Sequence, residues 1–411
     1  MKKTLLTICL TWMCFSLSAQ KIIDLSGKWS FSIDRQDNGE KEKWFSHTLN
    51  DCINLPGSMP EKLKGDEVTA KTQWTGSLYD SSYYYNPYME KYRKEGNIKF
   101  PFFLTPDKHY VGAAWYQKEV NIPADWKGER ILLFLERPHI ETTVWVNGQK
   151  TGMQNSLCVP HQYDITRYVR PGKCTITIRV DNRIKEINVG PDSHSITDQT
   201  QGNWNGIVGR ICLQTTPKTY FDDIQIYPEP EQKLARVKVV IKGAGITKIK
   251  LSAESFNTDK KHIVPAIQQE IKLNKGVTET EMVLPMGNDM LLWDEFHPAL
   301  YKLKAEVTNG KKTEIKEIQF GMRRFEIKGK WFYVNGRKTQ LRGTVENCDF
   351  PLTGYAPMDV ESWERVFRIC RSYGLNHMRF HSFCPPEAAF IAADRVGFYL
   401  QPEGPSWPNH G

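Results

Sequence analysis

The chain has 411 residues, too many for one ordinary domain and enough for roughly two to four. With 25% charged and 40% apolar residues it has the composition of a folded globular protein, not of a disordered chain. The formal net charge of +8 is spread along the sequence, so no basic stripe points to nucleic acid.

Met1-Lys2-Lys3 is followed by the apolar run "LLTICLTWMCF", too short to span a bilayer, and by "SLSAQ", whose small residues suit cleavage after Ala19. Residues 1–19 are expected to be a secretory signal peptide, and the protein to be exported to the periplasm or the medium. Neither Cys9 nor Cys14 has the small-residue context of a lipid-attachment site, and no later segment reads as a membrane span. Seven cysteines remain after the leader, scattered and odd in number, with no CxxC or Cys/His ladder that would point to zinc. Export permits disulfides, but a chain of this size does not require them, and none is predicted.

From about Ile23 to Thr216 the grammar is β. "GKWSFSI", "AAWYQKEV", "RILLFLE", "TTVWVNG", "CTITIRV" and "RICLQT" are short β-branched and aromatic runs, several alternating with period two. Asn147-Gly148 within "WVNGQKTG" marks a tight hairpin. A jelly-roll domain is expected over 20–218. Inside it, "YDSSYYYNPYMEKYRKEGNIKFPFF" interrupts the strand rhythm with tyrosine and phenylalanine; its rings suit sugar stacking or packing against the molecule itself, and packing is the favoured reading. Trp204 in "GNWNGIVGR" is likewise read as structural.

A second β block, over 219–321, holds "FDDIQIYP", "ARVKVVIK", "KIKLSAES", "TETEMVLP", "ALYKLKAEV" and "TEIKEIQF". Six or seven short strands are expected here, as in an immunoglobulin-like sandwich without the Cys…Trp…Cys signature.

Near Phe325 the pattern changes. "KTQLRGT" reads as a strand. Asp359 caps a helix with Trp363, Val366, Phe367 and Cys370 at i, i+3, i+4 and i+7, and Gly374 ends it. "LNHMRFH" follows as a strand, Pro385-Pro386 opens a second helix that Gly397 closes, and "FYLQ" is a third strand. Strand–helix–strand–helix–strand is the grammar of a parallel α/β sheet. Three parallel strands and two helices leave edges uncovered, and the sequence stops at "EGPSWPNHG", whose last residue is Gly411. Residues 322–411 are therefore expected to be the start of a larger α/β domain, and the sequence an N-terminal fragment.

His377, His381 and Cys384 have a spacing that would gather a metal on a helix. On a strand, at about 3.3 Å per residue, the two histidines stand about 13 Å apart and cannot chelate one ion. The glutamate of an HExxH site is replaced by Met378. Alternation puts His377, Arg379 and His381 on one face and Met378 and Phe380 on the other. His377 is expected to be buried and structural.

The ordered pieces "LSGKWSF", "WYQKEV", "VWVNG", "YDIT", "GIVGRICL", "LWDEFHPALY", "FGMRRFEI", "VNGRKTQLRGT", "GLNHMR" and "ADRVGFYLQPE" resemble the family 2 glycoside hydrolases, which include β-galactosidases, β-glucuronidases and β-mannosidases. The resemblance runs from about Leu25 to the last residue. It implies a multidomain chain: a jelly-roll sugar-binding domain, an immunoglobulin-like sandwich and the first strands of a truncated (β/α)₈ TIM barrel. In such a barrel functional groups lie past the C-terminal strand ends. This designates Glu346, Asn347 and Asp349 after the first strand, Arg379, His381 and Ser382 at the end of the second, and Glu403 after the third as sugar contacts.

The resemblance further implies retaining hydrolysis of β-linked sugars by two carboxyl groups about 5–5.5 Å apart. The family draws both glutamates from later barrel strands, so no catalytic residue is designated here. The pair is expected beyond Gly411, and this chain is expected to be inactive by itself. "VENC" and "SFCP" depart from the family's Asn-Arg-His-Glu and Ser-His-Tyr-Pro segments where substrate hydroxyls are read, which bears on the β-galactosidase label more than on the family. No cofactor is expected; magnesium or sodium is bound by some family members, and no ligands for either are assignable. The expected partner is an oligosaccharide or polysaccharide side chain, and the family commonly forms oligomers. A non-catalytic carbohydrate-binding protein with a degenerate barrel is the competing expectation.

Overall fold

The structure is a computed structural model that describes residues 20–75, 81–101, 105–185, 193–200 and 202–406. The expected leader with Cys9 and Cys14, parts of the tyrosine-rich insertion (Tyr79, Asp80, Phe102, Phe103) and the last five residues, Trp407 to Gly411, lie outside the described residues. The catalytic carboxyl pair expected beyond Gly411 lies outside them too.

Two antiparallel sheets make the first sandwich. One has six strands, with Glu141–Val146, Gly172–Asp181, Ala113–Ile122 and Gly27–Asp34 side by side at its centre. The other pairs Gly206–Thr216 with Arg130–His139 and then His161–Asp164. Alternation drives their apposition. Trp29, Phe31, Tyr116, Val144, Ile176 and Ile178 of the first sheet meet Leu133, Leu135, Tyr163, Ile211 and Leu213 of the second in one buried core. The Asn147-Gly148 hairpin forms as expected, both residues at positive φ and Val146 paired with Gln149.

The sheet of the second β block has five strands, two of them 23 residues long. Leu234–Phe256 pairs along its whole length with Ile263–Pro285, while its first half pairs with Tyr220–Glu229 and its second half with Leu300–Asn309. "ARVKVVIK" and "KIKLSAES", expected as separate strands, are thus one. The Gly243–Gly245 stretch that looks like a turn is a register shift, at which the strand changes partners without breaking. Val237, Val239, Ile241, Ile249, Leu251, Tyr301, Leu303 and Ala305 fill the core between the two halves.

In the third region, "KTQLRGT" divides: Arg337–Thr339 closes a three-stranded antiparallel sheet, and Gly343–Glu346 begins a parallel one. Asn376 occupies the break, accepting from Arg342 N at 2.7 Å and donating to Glu295 Oε2 at 2.7 Å. The parallel sheet runs Gly343–Glu346, His377–Phe380, Tyr399–Gln401, with Val345 opposite Arg379 and Arg379 opposite Gln401.

Helix α1 (Val360–Ser372) starts where Asp359 accepts from Ser362 N at 2.7 Å, and Gly374 follows its end at φ 79°. Helix α2 (Glu387–Val396) begins after Pro386 and ends at Gly397, φ 76°. Both pack on one face of the sheet through Trp363, Phe367, Met378, Phe380, Ala389 and Ala392. Three parallel strands and two helices do not by themselves make a barrel. Among the described residues no helix is long and apolar enough to cross a membrane.

Candidate functional site

Because Met378 and Phe380 turn to the helices, Arg379 turns to the opposite, uncovered face of the parallel sheet. Its Nε donates to Glu403 Oε1 at 2.5 Å across the exits of the second and third strands. Glu403 Oε2 accepts from the Ser382 backbone N–H at 2.8 Å. Burial works to raise the Glu403 carboxyl, but the Arg379 and Ser382 donors and the nearby His381 together hold it below the usual glutamate range.

Ser382 is the hinge of this arrangement. Its backbone is left-handed (φ 52°), uncommon for a non-glycine residue, and its side chain is buried. Three donors from the first sandwich hold it there. His194 N donates to Ser382 Oγ at 3.0 Å, and Ser193 Oγ and Ser195 Oγ donate to Ser382 O at 3.2 and 2.7 Å. His381, half-buried, stands edge-on to the His194 ring with centroids 4.4 Å apart. Burial, reinforced by the neighbouring His381, pushes the His194 imidazole down to about 4 although Glu403 pulls the other way. At neutral pH it is an uncharged ring.

The three residues predicted at the first strand's exit behave differently. The Glu346 carboxylate folds back onto its own loop, accepting from Cys348 N at 2.8 Å and Asp349 N at 3.3 Å. Burial raises its pKa against those backbone donors. Glu346 therefore shapes the loop, and its main-chain carbonyl accepts from His381 N at 2.9 Å, tying the first exit to the second. Asn347 is half-buried and Asp349 exposed; burial raises the Asp349 carboxyl as well. The structure thus brings Arg379, Ser382 and Glu403 into one hydrogen-bonded group beside His381, and sets Glu346, Asn347 and Asp349 in an adjoining loop. His377, expected to be buried, is half-buried instead. Its ring takes the space beside Gly343, where a Cβ would meet Nδ1 at 2.4 Å.

The first sandwich supplies the wall behind these exits. Trp204, expected to be structural, is buried and stacks on His139 at 4.6 Å, with Tyr355 of the first exit loop 5.5 Å away. Tyr355 Oη donates to Glu61 Oε2 at 2.9 Å, and Ser58 Oγ donates to Thr353 O at 3.2 Å. Glu61, Asp107, His109, Asp198 and Trp204 line a polar cleft closed on its other side by Leu352 and Thr353. Sequence reasoning missed Ser193, His194 and Ser195. The available signal was "SHSITDQTQGNWNG", a polar run without strand or helix periodicity, in which Ser193, Thr197, Asn203 and Asn205 are nonetheless buried.

The tyrosine-rich insertion divides. Tyr83 is buried, stacks on Phe100 at 4.6 Å and donates from Oη to Tyr92 O at 2.8 Å. Tyr85 and Tyr88 stand 73% and 86% exposed. Among the described residues no group of three or more His, Cys, Asp or Glu side chains is disposed to hold a metal ion.

Comparison with known proteins puts this geometry in context. The family model described as "Glycosyl hydrolases family 2, sugar binding domain" matches residues 22–217, and "Glycosyl hydrolases family 2" matches residues 219–323. A β-galactosidase of Thermoanaerobacter pseudethanolicus is 25% identical over 334 residues, covering 77% of this chain and 42% of its own length. A human β-glucuronidase is 23% identical over 420 residues, 93% of this chain and 57% of its own. Among solved structures, a Ruminococcus gnavus β-glucuronidase superposes with a TM-score of 0.68 at 20% identity, over 94% of this chain and 59% of that one. A family 2 member from Bacteroides cellulosilyticus gives 0.67 at 19% identity, over 93% and 47%. These structures share the fold. The chain spans about half the length of the curated relatives it matches.

Proposed function

The chain belongs to glycosyl hydrolase family 2, and we propose that it carries the sugar-reading side of a retaining β-glycosidase. The observation that carries this reading is the Arg379–Glu403–Ser382 group beside His381, at the exits of adjacent parallel strands and on the face the helices leave open. In (β/α)₈ barrels that end of the strands is where substrate binds. We assign the three units to residues 20–218, 219–321 and 322–411, the last as the first part of such a barrel. Arg379 and His381 are the sugar-contact groups, Asn347 and Asp349 stand at the rim, and Glu403, Ser382 and Glu346 position them.

Retaining hydrolysis needs a carboxyl pair about 5–5.5 Å apart. Glu403 is committed to Arg379 and Ser382, and Glu346 to its own loop. Neither is assigned as nucleophile or acid/base; that pair is assigned to the part of the whole protein beyond Gly411. The same commitment favours a second reading, in which carbohydrate is bound and not cleaved. The names of the relatives support a β-galactoside or β-glucuronide as substrate. The leader-like residues 1–19 support export, which N-terminal sequencing of the secreted protein tests by a start at Gln20.

Aryl β-galactosides and β-glucuronides offered to the whole protein, with the first-formed sugar anomer followed by proton NMR, decide between the two readings. Release of the β-anomer supports retention. Binding without release supports the second reading, and neither binding nor release refutes both.

A further inference from the structure

We propose that Cys158 and Cys384 form a disulfide that fastens the sugar-binding sandwich to the loop leaving the second parallel strand. Cys158 lies in the bend between strands Gln149–Asn155 and His161–Asp164 of the sandwich. Cys384 lies far along the sequence, between His377–Phe380 and α2. One side chain holds the two backbones together. Arg137 donates from Nη1 to Cys384 O at 3.0 Å, and from Nη2 to Cys158 O and Pro385 O at 3.4 Å each. A planar guanidinium fixes its donors in one rigid fork, so both cysteine carbonyls sit at the edge of a single group. The Cys384 main chain and the Arg137 guanidinium are the groups that offset the effect of burial on the Cys158 thiol. Both residues line the same small cavity with Arg137, Leu157 and Phe383.

A disulfide needs Cα atoms about 4.4–6.8 Å apart. Two residues whose carbonyls share one guanidinium and whose side chains line one cavity are compatible with that span. In the structure both cysteines are free thiols, and Cys384 Sγ turns to Pro385 O at 3.7 Å. The bond requires at least that the Cys384 side chain turn away from Pro385 O.

The oxidant is a small-molecule disulfide such as oxidised glutathione. One protein thiolate attacks it and expels a glutathione thiolate. The second protein thiolate then displaces the remaining glutathione. One protein S–S bond forms, the glutathione S–S bond breaks, and the two protein thiol protons pass to the two expelled glutathione thiolates, which leave as thiols. Either thiolate can make the first attack: burial raises the Cys158 thiol, and Arg137 opposes the rise at both cysteines. Burial also raises the Cys384 thiol, so exchange is slow at neutral pH and quickens as pH rises.

Cys348 lines the same cavity and is the competing partner. Its thiol is the more deeply buried, and burial pushes it far above its ordinary value. Closing the Cys158–Cys384 bond would brace the wall that holds Ser382, two residues before Cys384.

The whole chain is treated with oxidised glutathione at about pH 8.5, near the ordinary thiol pKa, then alkylated, digested and mass-mapped. The expected product joins the Cys158 and Cys384 peptides and removes two alkylatable thiols. It is absent from C158S and C384S and kept in C348S and in the surface control C52S. A raised melting temperature of the oxidised wild type, with no such rise in C158S, is expected alongside. Full alkylation of Cys158 and Cys384 after treatment, or a Cys158–Cys348 link, overturns the assignment.

Discussion

Arg379 and Glu403 meet at 2.5 Å across the exits of the second and third parallel strands, and that contact turns two separate loops into one surface. The same carboxylate holds the Ser382 N–H, so the orientation of Arg379 and the conformation of the His381–Ser382 loop are set together. Replacing Glu403 by Ala is expected to lower stability by about 1–2 kcal/mol, the range of a charge-assisted hydrogen bond discounted for the partial exposure of both side chains. Ligand affinity is expected to fall with it. Urea unfolding and calorimetric titration with a monosaccharide inhibitor check the two effects.

Buried histidines, among them His139, His161 and His194, give the fold a pH dependence of definite sign. Burial lowers His139 to about 3, and His161 and His194 to about 4. The unfolded chain takes up these protons near pH 6.5 and the folded chain only near 3 to 4, so the unfolded state binds more protons between those limits. The stability they contribute is complete above about pH 6.5 and is lost as pH falls toward 4, by up to about 1.4 kcal/mol per histidine for each pH unit. His194→Gln is expected to flatten that slope. Melting temperatures recorded from pH 4 to 7 on wild type and variant measure it.

The tyrosine-rich insertion separates packing from recognition. Tyr83→Ala removes a buried ring and its hydrogen bond, and about 3–5 kcal/mol of local stability is expected to go with it. Y85A and Y88A remove exposed rings, and global stability is expected to change by less than about 0.5 kcal/mol. Limited proteolysis of the insertion and thermal melting distinguish the two classes of variant.

Trp204 joins the sandwich to the first exit loop through His139 and Tyr355. Trp204→Ala is expected to cost about 3–5 kcal/mol, the range for a large buried aromatic. Hydrogen exchange is expected to rise in residues 351–358 as well as in the sandwich. Exchange confined to the sandwich would contradict the bridging role.

Local chemistry made much of this fold legible. Asp359 caps a helix because, with its own backbone extended, its carboxylate reaches the free N–H of the first turn; Gly374 and Gly397 end helices because they accept positive φ. The side of Arg379 followed from alternation alone. What stayed hidden depended on partners distant in sequence. Gly243–Gly245 carries the composition of a turn, and only the full-length pairing with Ile263–Pro285 makes it a register shift within one strand. Glu346 was placed correctly at a strand exit, but no pattern showed that its carboxylate would fold onto the backbone of its own loop. Ser193, His194 and Ser195 carry no periodic signal, since their role is defined by Ser382, nearly half the chain away.

The role of the strand-exit cluster is tested most directly by comparing hydrolysis of aryl β-galactosides and β-glucuronides by the whole protein with and without Arg379→Ala, using Asp359→Ala as a control for stability. Loss of the charge-assisted contact that Arg379 is proposed to make with the sugar is worth about 1.5–3 kcal/mol, so kcat/KM is expected to fall by about 10- to 100-fold in the Arg379 variant. The Asp359 variant should stay close to wild type, and both should remain folded by circular dichroism. Undiminished turnover by a folded Arg379→Ala protein would contradict the assignment of these strand exits as the sugar site.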